Sequence, residues 1–475
     1  MKPSFLVPRP LPFLKMALAV FGVAFSLNTG ICRADNVSDN ASDNDTDQPG
    51  EQILTRGPVH EAFAGVIAFK PVAGVVVPKA PPEMIQEVPP DQKPEGDNVT
   101  WIPGYWAWDD ERNDFLWVSG IWRALPPGRQ WVTGYWAQSH SGYQWISGYW
   151  ADANDSQTTY LPPPPASLED GPDVAAPADD YVWIPGSWVW VEGQYDWQPG
   201  YWVEGQDDWD WNPDYYVWTP RGYVFVGGYW DYSIERRGVL FAPVYFDPGV
   251  CAQPGFSYSP TVAIDLSVLP NHLFLRPGYS HYYFGDYYDA SYSDEGFYAD
   301  FSFESGGYGY DPIFVHQHWQ HRNDAAWMNH IQTKYQARRD HKIVRPPRTW
   351  VAQRGAAKNV TLGAASENPP VATSFTALSK TGNPRPFQPL AGDQKQQFVQ
   401  RSQEVKQSRD MRRTLETNSA SPGAQAVSAQ ETARPFTVAR PPSPIMSRPA
   451  NLPQREQAPP RPPRNRDPGP GPGRR

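Results

Sequence analysis

Three groups of side chains have types and spacings suited to chemistry. His316, His318 and His321 fall within six residues, with His330 and His341 farther along. On a helix His318 and His321 share a face, a spacing compatible with metal ligation. No carboxylate motif accompanies them and H-E-x-x-H is absent, so packed or solvent-facing histidines are the better reading. "DDWDWNPD" (207–214) places Asp208, Asp210, Asn212 and Asp214 at every second position, an oxygen spacing that calcium loops use. Pro213 and Thr219 stand where such a loop needs its glycine and its glutamate. In a strand the same period puts the carboxylates on one face and Trp209 and Trp211 on the other, which is the preferred reading. For nucleophilic catalysis, "GYSHY" (278–282) is not a G-x-S-x-G elbow, and Cys251 has no histidine beside it in sequence. The chain has no P-loop and no dinucleotide fingerprint. An enzyme would need distant residues to converge, and His281, Asp286 and His318 are the best candidates. The sequence assigns no catalytic, metal-binding or cofactor-binding residue.

The elements that would position any site come from a repeat. "WIPGYW" begins at 101, "LWVSGIW" at 116, "QWVTGYW" at 130, "QWISGYW" at 144, "VWIPGSW" at 182 and "DWQPGYW" at 196. Their first aromatic residues are Trp101, Trp117, Trp131 and Trp145 in one block, and Trp183, Trp197, Trp211 and Phe225 in a second. The step is 14 residues except the first, which is 16; it recovers the degenerate copies "WNPDYY" (211–216) and "FVGGYW" (225–230). Eighteen of the 21 tryptophans lie in these blocks, so the repeat decides the fold there.

Fourteen residues suit a strand of about nine or ten residues plus a turn of about four. "PPGR" (126–129), "SHSG" (139–142) and "VEGQ" (191–194) carry turn chemistry. The expected fold is mainly β: two four-stranded antiparallel meanders over 99–152 and 181–231. Gly104, Gly120, Gly134, Gly148, Gly186, Gly200 and Gly228 recur at mid-strand, where a bulge with positive φ at Gly148 would account for them. Cross-strand ladders of buried aromatics are the preferred role for the tryptophans. The alternative is an exposed stacking surface formed by Trp106, Trp122, Trp136, Trp150, Trp188, Trp202 and Trp230.

The recurring W-x-x-G-Y-W phrase resembles the bacterial YxWGxW (WxxGxW) repeat family over roughly 99–231. The resemblance implies an exported protein, often envelope-associated, with no established molecular function and no catalytic residues to carry over. Tyr216 and Phe225 depart from the pattern.

The remaining segments divide by composition. Residues 1–34 read as a signal peptide, with Lys2, Arg9 and Lys15 ahead of the apolar "MALAVFGVAFSL" and small residues at Cys32 and Ala34. Cleavage there leaves Cys251 alone, so no internal disulfide is expected. Residues 35–98 read as an acidic, proline-rich linker with one edge strand, and 153–180 as a Pro/Asp-rich linker. Residues 232–345 form a Tyr/Gly/Asp-rich region ending in a helix at 315–340. Residues 346–475 read as a disordered Pro/Arg-rich tail, apart from a charged helix at 393–416. No segment of the mature chain is apolar enough to be a transmembrane helix. Residues 35–330 carry 12 Lys+Arg against 42 Asp+Glu, a balance of −30, while 331–475 carry 25 against 9, a balance of +16. An acidic body on an exported chain argues against nucleic acid. The basic tail suits anionic polymers, lipid headgroups or the chain's own body. The expectation is a non-enzymatic exported structural or interaction protein of the cell envelope, with cell-wall polysaccharide or other envelope components as partners. A carbohydrate-binding module is the alternative, and an enzyme with its site in 232–345 the second. No oligomeric state follows from the sequence.

Overall fold

Each pair of consecutive repeats folds into one long antiparallel hairpin. In the first, Val99–Ile102 and Tyr105–Asp109 pair with Ile121–Ala124 and Asp114–Val118. The second pairs 129–139 with 142–152, the third 181–191 with 194–204, and the fourth 209–219 with 222–232. The structure, a computed structural model, describes residues 48–358, 370–381, 385–417 and 434–448. The signal peptide reading at 1–34 falls outside the described residues.

The repeat type dictates the register. First tryptophans face the second tryptophans of the partner repeat: Trp101 opposes Trp122, Trp106 Trp117, Trp131 Trp150, and Trp136 Trp145. Trp183 opposes Trp202 and Trp188 opposes Trp197 in the third hairpin, while in the fourth Trp211 opposes Trp230 and Tyr216 opposes Phe225. All eight of these pairs, such as Trp101–Trp122 and Trp183–Trp202, meet edge-on or tilted with ring centroids at 5.1–5.4 Å. That is the arrangement aromatic quadrupoles favour, and it adds to the burial term.

The mainly-β, antiparallel expectation holds, and the pairing is finer than two meanders. Among the described residues no hairpin is joined to another by a backbone ladder between repeat strands. A 14-residue period cannot say whether a strand pairs with one neighbour or two, and here the second edges that are paired go to strands outside the repeats. In the first hairpin the 114–124 arm takes both Gly238–Leu240, along Ile121–Ala124, and Val244–Phe246, along Asp114–Val118. The second takes Val76–Val77, and the fourth takes Gln157–Leu161 from the stretch read as a linker. The turns at 139–142 and 191–194 are two-residue hairpin turns, with Glu192 (φ 51°) and Gly193 (φ 88°) both left-handed as a type I′ turn requires. The 126–129 turn joins the first hairpin to the second.

The C-terminal region covers these hairpins. Residues 315–340 are two helices, α1 (Pro312–Gln320) and α2 (Trp327–Arg339), with Asp311 capping α1 by accepting from the Ile313 and Phe314 amides. The tail is not structureless through 346–475. Helix α3 (Trp350–Lys358), helix α4 (Gly392–Thr417) and a strand at Phe436–Ala439 are formed, the last pairing with Gln157–Leu161. Helix α4 is anchored by Arg412, which is buried and donates to the Thr133 and Ser147 carbonyls at 3.0 and 2.9 Å. Glu416, also buried, accepts from Tyr135 at 2.6 Å and Tyr160 at 3.0 Å. The basic tail thus meets the body through individual hydrogen bonds that composition could not reveal.

Candidate functional site: carboxylates at the hairpin centres

Both arms of every hairpin are interrupted at the x-x-G of the repeat. In the first hairpin the ladder stops at Ile102↔Ile121 and resumes at Tyr105↔Val118, so residues 103–104 and 119–120 make no ladder bonds. Proline at 103 loses nothing there, having no N–H. The glycine N–H groups, however, need an acceptor once buried.

The glycines are required for a reason other than positive φ, which none of Gly104, Gly120, Gly134, Gly148, Gly186, Gly200 and Gly228 shows. A Cβ at Gly120 would lie 2.5 Å from Trp101 Cζ2, and one at Gly148 would lie 2.4 Å from Trp131 Cζ2. The same contact recurs at 2.2 Å between Gly200 and Trp183 Cζ2 and at 2.5 Å between Gly186 and Trp197 Cζ2. The first tryptophan of one repeat lies over the glycine of the partner repeat, where only a hydrogen leaves room for the indole.

That packing aims the indole N–H and the glycine N–H of one repeat at a common point, and a carboxylate sits there. In the first hairpin Glu87 accepts from Trp117 Nε1 at 3.0 Å, Gly120 N at 2.8 Å and Gly104 N at 2.7 Å. In the second, Glu61 accepts from Trp145 Nε1 and Gly148 N, both at 2.9 Å. In the third, Glu169 accepts from Trp183 Nε1 at 2.7 Å and Gly186 N at 2.5 Å. The W-x-x-G phrase is therefore a two-pronged carboxylate receptor, its donors set three residues apart by the kink. The fourth hairpin departs in a compensated way. Phe225 has no N–H to offer, the partner repeat carries Asp214 instead of glycine, and Asp214 Oδ1 itself accepts from Gly228 N at 2.5 Å.

Extended segments run from these carboxylates along the hairpins. Trp106 Nε1 donates to the Glu83 carbonyl at 2.9 Å, four residues before Glu87. Trp188 Nε1 donates to the Ala166 carbonyl at 2.9 Å, three residues before Glu169, and Trp202 Nε1 to the Val174 carbonyl at 2.9 Å. Both segments are proline-rich, "PPEMIQEVPP" (81–90) and "PPPPASLEDGP" (162–172). Prolines favour the extended form and leave carbonyls unpaired for such donors.

Electrostatics separate the sites. Glu87 is 4 % exposed, and burial pushes its carboxyl up to about 7 although three N–H donors pull the other way. Glu61 is raised by burial as well, against the nearby His281 and its two donors. A second buried polar group ties the first and fourth hairpins together. Arg123 donates to both oxygens of Asp231 at 2.7 and 2.5 Å, and Arg237 donates to Asp210 at 2.7 Å. His316 Nδ1 approaches the other Asp210 oxygen at 3.1 Å, and burial lowers this histidine to about 4.

The residues singled out for chemistry are thereby placed. In 207–214 the expected strand alternation holds over 209–212. Asp210 and Asn212 are buried and Trp209 and Trp211 half-buried, because Arg237 neutralises the inward carboxylate. His316 belongs to that network, His321 stacks on Trp327 at 4.9 Å, and His318 lies against Phe314. His281 bonds Tyr105 Oη at 2.7 Å and Asp286 pairs with Arg345 at 3.6 Å, so His281, Asp286 and His318 contact different groups. Among the described residues no set of three or more His, Cys, Asp or Glu side chains could hold a metal ion. No helix among them is long and apolar enough to cross a membrane. Of the seven tryptophans considered for stacking, Trp106, Trp122, Trp150 and Trp230 are buried in the core, since their faces pack on the opposing ring. Trp136, Trp188 and Trp202 are half-buried. Glu61, Glu87 and Glu169 carry no local signal. Asp214 could have been noticed, because it breaks W-x-x-G in the one hairpin whose partner repeat lacks its tryptophan.

No curated protein and no solved structure matches the chain. Residues 96–123, 131–151, 179–203 and 207–231 match the model of the WXXGXW repeat, and these segments coincide with the four hairpins. The four hairpins belong to the WXXGXW repeat family.

Proposed function

We propose that this chain is a non-enzymatic, exported interaction protein of the bacterial cell envelope whose hairpins are recognition units for carboxylate-bearing extended segments. One observation carries the reading. Three hairpins hold a glutamate from outside the hairpin with the same pair of donors, Trp Nε1 and the glycine N three residues on. The buried carboxylates are engaged as hydrogen-bond acceptors in this scaffold, which favours binding over catalysis. The apolar stretch at 16–27 and the small residues at 32 and 34 support export. Cell fractionation tests it: the chain should be recovered outside the cytoplasm, beginning near Asp35. Cytoplasmic chain with an intact N-terminus would overturn the export half of the proposal. A sugar-stacking surface is less well supported, since four of its seven rings are occupied in the core.

A further inference from the structure

The third hairpin differs from the first in what surrounds its carboxylate. Its strands pair with each other and with no further strand among the described residues. Trp183, Trp188, Trp197 and Trp202 are all half-buried, and no side chain of the overlying segment 162–174 is buried. Leu168 is 58 % and Val174 64 % exposed, so the segment's apolar side chains contribute little to holding it. Four anchor points do so instead. Tyr195 Oη donates to the Pro162 carbonyl at 2.5 Å, Trp188 to Ala166, the Trp183/Gly186 fork to Glu169, and Trp202 to Val174. The hairpin therefore holds this segment chiefly through backbone carbonyls and one carboxylate.

We propose that the third hairpin is a docking site for an extended, proline-flanked, glutamate-containing segment of a partner protein, for which residues 162–174 are the tethered stand-in. The inference rests on the reading of the hairpins as carboxylate-recognition units and adds the partner's chemistry and the means of masking. A proline-rich ligand fits because it is already extended and loses little entropy on binding. The stand-in is covalently attached, so its effective concentration is in the millimolar range for a short tether, and an outside segment must compete with it. Exchange is feasible here because the segment leaves without exposing a core. Removing Glu87 from the first hairpin would strand three donors in the interior.

The test uses the full chain and a labelled peptide of the sequence PPPPASLEDGPDV, read by fluorescence anisotropy. Glu169→Gln, which weakens the stand-in, should bind the peptide about tenfold or more tighter than the unaltered chain. A peptide carrying Gln for its Glu should bind at least tenfold more weakly, and Trp183→Phe added to Glu169→Gln should do the same while keeping the ring. A second variant replacing residues 163–173 by Gly/Ser should also bind, with an unchanged near-ultraviolet circular dichroism spectrum as the folding control. Absence of saturable binding to both variants, or equal binding of the Gln peptide, overturns the proposal. So does a concentration-dependent dimer of the unaltered chain that disappears in Glu169→Gln, because the occupant is then a second copy. None of these outcomes touches the fractionation result, so the export reading and the docking proposal fail separately.

Discussion

The first and third hairpins have the same register, the same paired tryptophans and the same carboxylate at the kink, yet they sit in opposite environments. The first is flanked by strands 238–240 and 244–246 and its rings reach the core, with Trp117 and Trp122 fully buried. In the third the four tryptophans are half-buried, and of its two arms only Ile184, Pro185 and Gly186 are buried. The repeat motif therefore specifies the hairpin, while burial decides whether its carboxylate is a fixture or an exchangeable contact. Dielectric surroundings make the difference, because an unmet N–H is costly only where water cannot reach it.

Removing the two carboxylates should separate the hairpins most. Glu87→Ala leaves Gly104, Gly120 and Trp117 without their acceptor in the interior, at a cost of about 3 kcal/mol or more. Glu169→Ala lets water reach the donors and should cost below about 1 kcal/mol. Denaturant melts check both, and equal losses would mean that environment does not govern the site.

The pH dependence comes next. Glu87 sits at about 7 folded against 4.5 unfolded, so the folded state binds the extra proton. Stability from this group is fully present below pH 4.5, declines as pH rises towards about 7, and is constant above it. The span corresponds to about 3 kcal/mol. Buried His60 and His272, lowered to about 3, and His316, lowered to about 4, work the other way, losing stability as pH falls below 6.5. Subtracting the curve of Glu87→Gln from that of the unaltered chain cancels them. The difference should fall between pH 4.5 and 7, and a flat difference would show that Glu87 stays ionised throughout.

Glycine substitutions should sharpen the contrast at smaller scale. Alanine at Gly120 meets Trp101, the Ile102 carbonyl and Glu87 at 2.5–2.7 Å in a packed interior, where overpacking costs about 2 kcal/mol. Gly186→Ala meets Trp197 at 2.5 Å and the Gln198 carbonyl at 2.7 Å, but the ring is half-buried and can shift, so about 1 kcal/mol is expected. Thermal melts that rank the two variants in reverse order would contradict the role given to burial.

How far these features are legible in the sequence follows from their range. The period of 14 fixes strands and turns because side-chain alternation and turn residues are local, as the Glu192–Gly193 turn illustrates. It leaves pairing open, and the outer edges of the first and fourth hairpins are taken by residues 244 and 160. The W-x-x-G glycine is visible as a recurrence, but its cause is a cross-strand indole and no property of its own backbone. Glu61, Glu87 and Glu169 are hidden because nothing near them in the chain marks a carboxylate that will meet a hairpin. Arg412 is hidden likewise, its partners Thr133 and Ser147 lying more than 260 residues away. In 207–214 the period was readable and its direction was not, because Arg237 and Arg123 reach Asp210 and Asp231 from outside the segment.

The fourth hairpin gives the smallest effect and the most direct test of the motif. Phe225 and Asp214 have changed together: the position across from a first tryptophan is glycine in the other repeats and aspartate here, and the tryptophan itself is phenylalanine. Phe225→Trp alone would drive an indole into the Asp214 side chain, as Trp197 would meet a Cβ at Gly186. Asp214→Gly alone removes the acceptor of Gly228 N and of the Ser187 hydroxyl. Each single change should cost about 1 kcal/mol. The double variant restores room for the ring and supplies an indole N–H beside Gly228 N, so its loss should be smaller than the sum by about 1 kcal/mol. It would also empty the site of its internal carboxylate, leaving a complete fork with no occupant. Acetate or a glutamate-containing peptide should then raise the melting temperature of the double variant and leave the unaltered chain unmoved. Strict additivity of the two changes, with no response to carboxylate, would mean that Trp and Gly in this repeat are independent packing choices and the fork a by-product of them.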